Sequence, residues 1–417
     1  MRPSRILVVE VGAGHAACGL FVSAAKGGLS LEQFACEKLD SELSAGSQWH
    51  AAVAGSLGAI AARQWARGSC SLALPGHLAL TKFLRIPSVP KEKLRKAVAL
   101  EAAENIPYPL DDVAWDFAVV SDKEPDLEVM LAAAKLDAVQ PLCRAAESAG
   151  LSIERAIPSG LSLWHAFQHS HPDVNESVLV ANIGARSTQL LFVEAGRFRL
   201  RTVPMGGNTV TQLVSEGLRM DFASAELLKV QVLSGRTDLP NGPASRSVVQ
   251  RAVSGFTAQL ELEIIRSAIH YRRQTDAAPP VTLYLTGGGS LIGELPGMLA
   301  ARLRLRVERL SPFRNVDVSA DARAAGAEDL EHTVADMVGL AARVASGGEH
   351  GLNLLPPEMA EAARHRKRRP VLLAAGVAAL VSLALPIVYF HHHATRTLEK
   401  VAQYENRYMP LRALERS

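Results

Sequence analysis

The sequence predicts an α/β protein with a duplicated fold, an inserted α+β subdomain and a single membrane-spanning helix. Three observations lead to this prediction. A pattern of three strands followed by helices occurs near the N-terminus and again from Val178 onward. A separate group of strands and helices lies between the two occurrences. Toward the C-terminus, an uncharged stretch of 20 residues directly follows a cluster of basic side chains.

Residues 1–81 provide the first half of the predicted duplication. Short apolar runs bounded by turn residues predict strands, because such residues favour buried extended structure. The composition of Gln48–Arg67 predicts a helix before the last of these strands. The predicted strands are Ile6–Val11, Ala16–Ser23, Leu29–Cys36 and Ser71–Leu74.

Residues 82–157 are predicted to form the inserted α+β subdomain. Its first helix, Lys91–Asn105, is amphipathic and is expected to end before Pro107, since proline disfavours helical angles in the residue that precedes it. The other predicted elements are strands at Lys82–Ile86, Val113–Val120 and Leu127–Ala134, and a helix at Asp137–Ala149.

Residues 158–345 are predicted to repeat the plan of the first half, so that two similar halves face one cleft. The strand Val281–Thr286 leads into a run of glycines. The remaining predicted elements are strands at Val178–Ile183, Thr188–Glu194 and Arg197–Val203, and helices at Thr209–Met220, Ser224–Leu233 and Ser245–Gln274.

The C-terminal part is predicted to cross a membrane once. Residues 371–390 carry no charge, and 20 residues of helix span about 30 Å, the thickness of a bilayer core. Five basic residues in 364–369 precede this stretch, which indicates a cytoplasmic N-terminal side. The alternative is a buried core helix. The prediction is a single-pass inner-membrane protein with a linker at 346–370 and a short periplasmic helical segment at 391–417.

Composition excludes several classes of protein. The formal net charge of +3 gives no support for nucleic-acid binding. The four cysteines are far apart and lack a CxxC spacing, so they are expected to be reduced thiols without a metal. We find no HExxH, GxSxG or P-loop pattern, and therefore predict no catalytic residue and no metal site.

Glycine-rich turns follow three of the predicted strands. Glycine lets backbone N–H groups approach a phosphate or a ribose closely. Two equivalent turns in a duplicated chain, together with a glycine run that opens a helix, indicate a nucleotide site. The turns are Glu10–Gly14, Asn182–Ala185 and Leu285–Ser290.

Several short segments give the chain a family resemblance. Over about residues 5–345 it resembles the actin-like ATPase superfamily, and within it the PilM family of pilus assembly proteins, which is related to the division protein FtsA. The segment Glu101–Leu110, with the sequence EAAENIPYPL, is especially similar to PilM. The other segments are Phe83–Pro87, Pro204–Asn208, Ala225–Lys229 and Tyr271–Gln274.

The resemblance implies a ligand and a set of binding residues. The ligand is ATP or ADP, with or without Mg²⁺. Glu226 and Lys229 are one helical turn apart and would reach the adenosine, although they could also be an ordinary surface pair. The implied phosphate residues are Gly12, Gly184, Gly206, Gly207 and Asn208, and the residues implied behind the adenosine are Gly287, Gly288, Gly289 and Ser290.

The chain departs from the superfamily where the superfamily carries acids. Glu10 and Asn182 stand where an aspartate is usual in each phosphate turn, and residues 157–159 contain no carboxylate. Hydrolysis needs carboxylates to hold magnesium-bound water and to orient the attacking water. We therefore expect weak nucleotide binding and little or no hydrolysis.

The segment Gly351–Pro356, with the sequence GLNLLP, resembles the N-terminal signature of the PilN family. In that family the segment docks in a groove of PilM beside the inserted subdomain. The resemblance implies docking in the same chain or on a neighbouring subunit, which would make a homo-oligomer, whereas a plain apolar linker is the alternative. The implied docking residues are Leu352, Asn353, Leu354, Leu355 and Pro356.

The layout predicts a scaffold of the type IV pilus inner-membrane platform. Its expected partners are PilN-like and PilO-like proteins, with the pilus motor ATPase or platform protein in addition. The alternatives are a GspL-like component of type II secretion, an FtsA-like division ATPase, and a sugar or acetate kinase of the same superfold. An FtsA-like protein would use an amphipathic tail, and a kinase would need no membrane anchor.

Overall fold

The computed structural model describes residues 4–23, 28–39, 46–123, 126–236, 242–275, 277–347 and 351–414. Residues 348–350 of the expected linker and 415–417 of the expected C-terminal segment lie outside these ranges. The side chains of Lys367 and Arg369 in the basic cluster also lie outside the description. The chain divides into two compact units, which meet between Ala360 and Glu361.

The strands of the first unit form three sheets. The strands are β1 Ser4–Val11, β2 His15–Ser23, β3 Leu29–Lys38, β4 Gly68–Leu74, β5 Ala79–Pro87, β6 Val113–Lys123, β7 Asp126–Lys135, β8 Leu151–Pro158, β9 Val178–Ile183, β10 Thr188–Glu194, β11 Arg197–Val203, β12 Thr282–Thr286, β13 Arg306–Arg309 and β14 Val316–Val318.

The helices cover the sheets and continue into the second unit. They are α1 Gly46–Ala61, α2 Lys91–Asn105, α3 Leu136–Ser148, α4 Ser159–Ser170, α5 Gly207–Leu218, α6 Phe222–Leu233, α7 Pro243–Thr275, α8 Leu295–Leu303, α9 Ala320–Ala324, α10 Ala335–Ala345 and α11 Pro357–Leu414.

The two larger sheets share one topology, which confirms the predicted duplicated α/β fold. The first has the order β14-β3-β2-β1-β4-β8 and the second the order β11-β10-β9-β12-β13. In each, a three-stranded antiparallel meander leads to a parallel strand beside its first strand. The central strands are apolar on both faces because helices cover both sides. This arrangement brings the turns after β1 and β9 to equivalent places.

The third sheet has the order β5-β7-β6 and packs with α2 around its own apolar core. The predicted insert, 82–157, also contained α3 and β8, but the structure places these two elements elsewhere. Strand β8 pairs in parallel with β4, and α3 packs against α1. The buried face of α3, with Val139, Leu142 and Cys143, needs the larger sheet layer to cover it.

Helices α4 and α10 connect the two halves. Helix α4 follows β8 of the first sheet and packs against β10 and β11 of the second. Helix α10 packs against α4 and against β1. The two helices approach so closely that a Cβ on Gly339 would lie 1.8 Å from the Ser162 carbonyl oxygen. Their first turns therefore meet at the base of the cleft.

The second unit continues α11, a helix of 58 residues. Pro357 begins it, which suits a position whose N–H would have no helical partner. Within the described residues, one helical stretch is long and apolar enough to cross a membrane. It covers Leu373–Arg407, with a mean hydropathy of 2.2, and none of it is buried.

Candidate functional site

A cavity of about 200 Å³ lies between the two halves. The turns after β1 and β9 line it, as do the start of the glycine run after β12 and the first turn of α10. Of the predicted phosphate and adenosine residues, four line this cavity: Gly12, Gly184, Gly287 and Gly288.

The turn after β1 is closed by a hydrogen bond from Gly12 N to the His15 carbonyl, 2.8 Å long. A side chain at Gly12 would meet the His15 ring at 2.7 Å, so glycine is needed here. Glu10 is the second-last residue of β1 and is 5% exposed. Its Oε2 accepts a hydrogen bond from Met337 N at 3.0 Å, and its Oε1 lies 3.7 Å from His15 Nε2.

The turn after β9 is fastened to the start of α5. Gly207 N donates to the Gly184 carbonyl at 2.9 Å, and Asn208 N donates to the Ala185 carbonyl at 2.8 Å. A Cβ on Gly206 would lie 2.3 Å from the Gly184 oxygen. Gly206, Gly207 and Asn208 pack against the turn and do not line the cavity. Their N–H groups are already hydrogen bonded within the chain, so they are not free to bind a phosphate.

The glycine run contacts the same turn from the other side. Gly287 has a φ of +81°, and a Cβ there would lie 2.5 Å from Asn182 Oδ1. Gly289 packs against Ile183 with equal closeness, and Ser290 Oγ donates to the Gly287 carbonyl at 2.7 Å. Gly289 and Ser290 are buried behind the cavity wall.

Glu226 and Lys229 form a largely buried ion pair within α6, on the side that contacts Thr211 of α5. Their charged atoms are 2.6 Å apart, and the Lys229 side chain is 10% exposed. Lys229 Nζ also donates to Thr211 Oγ1 at 2.9 Å and to the Gly207 carbonyl at 3.2 Å, and Thr211 donates to Glu226. The pair is therefore not an ordinary surface pair. It lies behind Gly207, outside the cavity lining.

Asp336 supplies an acid that sequence reasoning did not find. It lies in the first turn of α10 and is 6% exposed. Its Oδ2 accepts from Asn182 Nδ2 at 3.4 Å, and its Oδ1 has no hydrogen-bond partner in the described part of the chain. Burial, and then the charge of Glu10, raises the pKa of the Asp336 carboxyl well above its usual range. The sequence feature that could have revealed it is that Asp336 is the one acid among the apolar residues of the helix Ala335–Ala345.

Asp336 belongs to a polar network at the base of the cavity. Ser159, at the start of α4, accepts a hydrogen bond from Gln189 Nε2. Gln189 Oε1 in turn accepts from Asn182 Nδ2 at 3.5 Å. The network links α4, α10 and the second sheet through neutral groups.

The same cavity carries basic side chains. His15, His77 and Arg186 all line it. The Nε2 atoms of both histidines are buried without a hydrogen-bond partner among the described residues. Burial, and then the nearby Arg186, lowers the pKa of His77 to about 4.

The residues at the cavity do not fit the divalent cation that the actin-like resemblance implies. Glu10 and Asp336 are the acids of the lining, and the raised pKa of Asp336 favours its neutral form. Asn182 offers an amide in place of a third carboxylate. Within the described ranges, no group of three or more His, Cys, Asp or Glu side chains is arranged to hold a metal.

A second candidate site is the groove between the three-stranded sheet and β8. The segment Gly351–Pro356 of the same chain lies in it. Leu352 and Leu354 are 0% exposed, and Leu355 is 4% exposed. These leucines are therefore packed against the walls of the groove, whereas the leucines of a free linker would be exposed.

Asn353 fixes this segment to both walls of the groove. Its Oδ1 accepts from Ala156 N of β8 at 2.8 Å, and its own N–H donates to Asp116 Oδ2 of β6 at 3.0 Å. Leu354 N donates to the Ala156 carbonyl at 2.8 Å. The segment is therefore held at the edge strand β8 by one backbone hydrogen bond and by one bond to the Asn353 side chain.

Comparison with known proteins gives one family and a set of similar structures. A family model described as type IV pilus assembly protein PilM matches residues 14–345. A solved structure titled PilM-PilN type IV pilus biogenesis complex is 23% identical, with a TM-score of 0.69, over 81% of this chain and 98% of that chain. The ethanolamine utilization protein EutJ from Carboxydothermus hydrogenoformans is 14% identical, with a TM-score of 0.45, over 82% and 90% of the two chains. The cytoplasmic domain of EpsL from Vibrio cholerae is 15% identical, with a TM-score of 0.33, over 52% and 78%.

Proposed function

Because this chain belongs to the PilM family of type IV pilus assembly proteins and has the actin-like fold, we propose that it is a membrane-anchored scaffold of a type IV pilus. It acts on the cytoplasmic side of the inner-membrane platform. The observation that carries the proposal is the segment Gly351–Pro356, which lies in a groove of the actin-like part and leads directly into α11. One chain thus combines a PilM-like body with its own apolar helix.

The partners follow from that layout. The solved relative is titled as a complex of PilM with PilN, and the segment of this chain that resembles PilN is covalently joined to the body. We assign PilN-like and PilO-like membrane proteins, and the pilus motor or platform protein, as the proteins that this scaffold gathers. The hydrogen bonds of Asn353 to β6 and β8 support docking within one chain.

The cleft is assigned to an adenine nucleotide. Backbone turns at Gly12 and Gly184 would contact the phosphates, with the glycine run after β12 behind the nucleoside. The buried pair Glu226 and Lys229 lies behind Gly207, where it supports the wall of the cleft on the side assigned to the nucleotide.

Hydrolysis is expected to be weak or absent. An attacking water needs a group that accepts its proton, and an ionised carboxylate in contact with the water is the usual one in this fold. Here Asn182 is an amide, and burial, followed by the charge of Glu10, raises the pKa of the Asp336 carboxyl, which disfavours its ionised form. The nucleotide would therefore act as a structural ligand that holds the two halves together.

The basic cluster in 364–369 and the apolar stretch Leu373–Arg407 support one topology. The first unit is placed in the cytoplasm and the C-terminal end of α11 in the periplasm, because basic residues are retained on the cytoplasmic side. A reporter that is active only in the periplasm, fused after Ser417, tests this placement.

The proposed role is tested by isolating the tagged full chain from membranes and identifying the proteins that remain bound to it. Pilus inner-membrane proteins are expected in the wild-type sample and at reduced levels with Leu354→Asp/Leu355→Asp. The matched control is Leu100→Asp, at a leucine of α2 that is 74% exposed. Recovery of type II secretion or cell-division proteins in place of pilus proteins would overturn the assignment.

A further inference from the structure

The cleft contains a positive charge that has no carboxylate partner among the described residues. Arg186 lies in the turn after β9 and is half-buried. Burial lowers the pKa of its guanidinium, and no carboxylate in the described part of the chain counteracts that effect. A partly desolvated arginine is stabilised when an anion approaches it, and its planar fork matches the oxygens of a phosphate.

His77 faces the same space from the loop between β4 and β5. Its ring packs edge-on against Trp49, with ring centroids 5.7 Å apart, which fixes the position of the imidazole. His77 Nε2 is buried with no hydrogen-bond partner among the described residues. The neighbouring Arg186 disfavours protonation of the ring in the absence of a ligand. An anion between the two groups would stabilise both.

Arg186 and His77 stand on a wall shared by two cavities. One is the cleft cavity, and the other is a cavity of about 460 Å³ that reaches to the three-stranded sheet. An anion at the wall could thus enter from the cleft side, where Gly12 and Gly184 lie. This is the region in which the phosphates of the proposed nucleotide would lie.

The acids of the cleft are engaged within the chain. Glu10 accepts from Met337 N and faces His15, while Asp336 accepts from Asn182. A divalent cation entering the cleft would have to break these contacts, remove a proton from Asp336 and lie beside the charge of Arg186. Each step opposes metal binding.

We propose that Arg186, assisted by His77, supplies the positive charge that neutralises the phosphates of the bound nucleotide, so that the cleft binds ADP or ATP without a divalent cation. This inference rests on the proposed nucleotide binding. It assigns to protein side chains the task that a metal ion performs when three carboxylates are present. Without a metal ion there is also no metal-bound water for hydrolysis.

The test is isothermal titration of the detergent-solubilised full chain with ADP, once with excess EDTA and once with excess Mg²⁺. The dissociation constants in the two buffers should agree within about threefold, because the metal makes no essential contact. This comparison uses the unmodified chain and does not depend on a variant that folds.

Variants then test the residue. Arg186→Gln should weaken ADP binding by roughly tenfold or more, the effect of losing a charge-assisted hydrogen bond. Arg186→Lys, which keeps the charge without the fork, should lie between. The matched control is Arg273→Gln, at an exposed arginine of α7, and it should bind as the unmodified chain does.

The outcomes separate this inference from the proposed function. Binding that requires Mg²⁺, with Arg186→Gln as tight as the unmodified chain, overturns the role of Arg186 and leaves nucleotide binding in place. If neither ADP nor ATP binds in either buffer, the nucleotide assignment itself is wrong, and the inference falls with it.

Discussion

The side-chain amide of Asn182 donates a hydrogen bond to Asp336 Oδ2 over 3.4 Å, and this contact joins the turn after β9 to the first turn of α10. The contact affects both the charge and the hydrogen bonding available at the base of the cleft. The amide can donate to a neutral or an ionised carboxyl, but it brings no charge of its own. The acid remains buried beside Glu10, and burial, followed by the charge of Glu10, raises its pKa.

The pKa of Asp336 predicts how stability depends on pH. The folded chain keeps the proton at pH values at which the unfolded chain has released it, so the contribution is full below about pH 3.8 and is lost as the pH rises toward the raised pKa. Asp336→Asn removes this loss. We expect a higher melting temperature than that of the unmodified chain at pH 7, and a difference that shrinks near pH 4. Asp329→Asn, at an exposed site, is the control.

Gly287 and Gly288 provide a matched pair for the glycine run. Gly287→Ala combines a φ of +81° with a Cβ only 2.5 Å from Asn182 Oδ1, so it should lower the free energy of unfolding by about 2–4 kcal/mol. Gly288→Ala meets nothing within 4 Å and should change it by under about 1 kcal/mol. Urea denaturation measures both. Equal effects would show that the close approach to Asn182 is relaxed in solution.

The Glu226–Lys229 ion pair of α6 is expected to contribute to folding stability because it is largely buried. Lys229→Met leaves Glu226 without its cation and should cost about 2–3 kcal/mol of unfolding free energy. The pair Arg323 and Glu328 is 56% exposed on both sides, so Arg323→Met should cost under about 0.5 kcal/mol. The double change Glu226→Gln/Lys229→Met should be milder than the sum of its parts, as measured in a double-mutant cycle. Additive effects would argue that the two side chains act independently.

The docked segment should protect its own amides. Leu354→Asp/Leu355→Asp places charges in a buried groove, and hydrogen exchange should then accelerate across 351–356 and at Ala156. Leu100→Asp should leave the exchange unchanged. Fast exchange of these amides in the unmodified chain would mean that the segment is a plain linker.

ATP turnover should stay near background. Phosphate release by the full chain in excess ATP measures it, with and without Mg²⁺, because the lining of the cleft offers no ionised carboxylate free of other contacts. Robust turnover that falls on Asn182→Ala would contradict the account of an inert site.

Local patterns in the sequence were sufficient to predict the fold class. The run Ile6–Val11 corresponds to β1, and the three strands from Val178 onward correspond to β9, β10 and β11. Strands β1 and β9 are almost wholly apolar, whereas β11 alternates arginines with apolar residues, and both patterns are properties of the sequence itself. The short spacing between them predicted that consecutive strands form meanders, as β9, β10 and β11 do.

Contacts between distant residues could not be predicted in this way. The assignment of β8 to the first sheet depends on its pairing with β4, about 80 residues earlier in the chain. Asp336 reaches the cleft only because Gly339 lets α10 approach α4. The N–H groups of Gly207 and Asn208 turned out to have partners in the turn after β9, which no local pattern reveals.

The segment Gly351–Pro356 ends where α11 begins, so no connecting residue separates the docked segment from the helix. A pull along α11 would reach Ala156 through Leu354 and Asn353, and from there β8 and the whole first sheet. Asn353 also donates a hydrogen bond to Asp116 of β6, so part of the force would pass to the three-stranded sheet. A force carried along this segment would therefore act first on the edge of β8, the strand that leads into α4, the helix that packs against both halves.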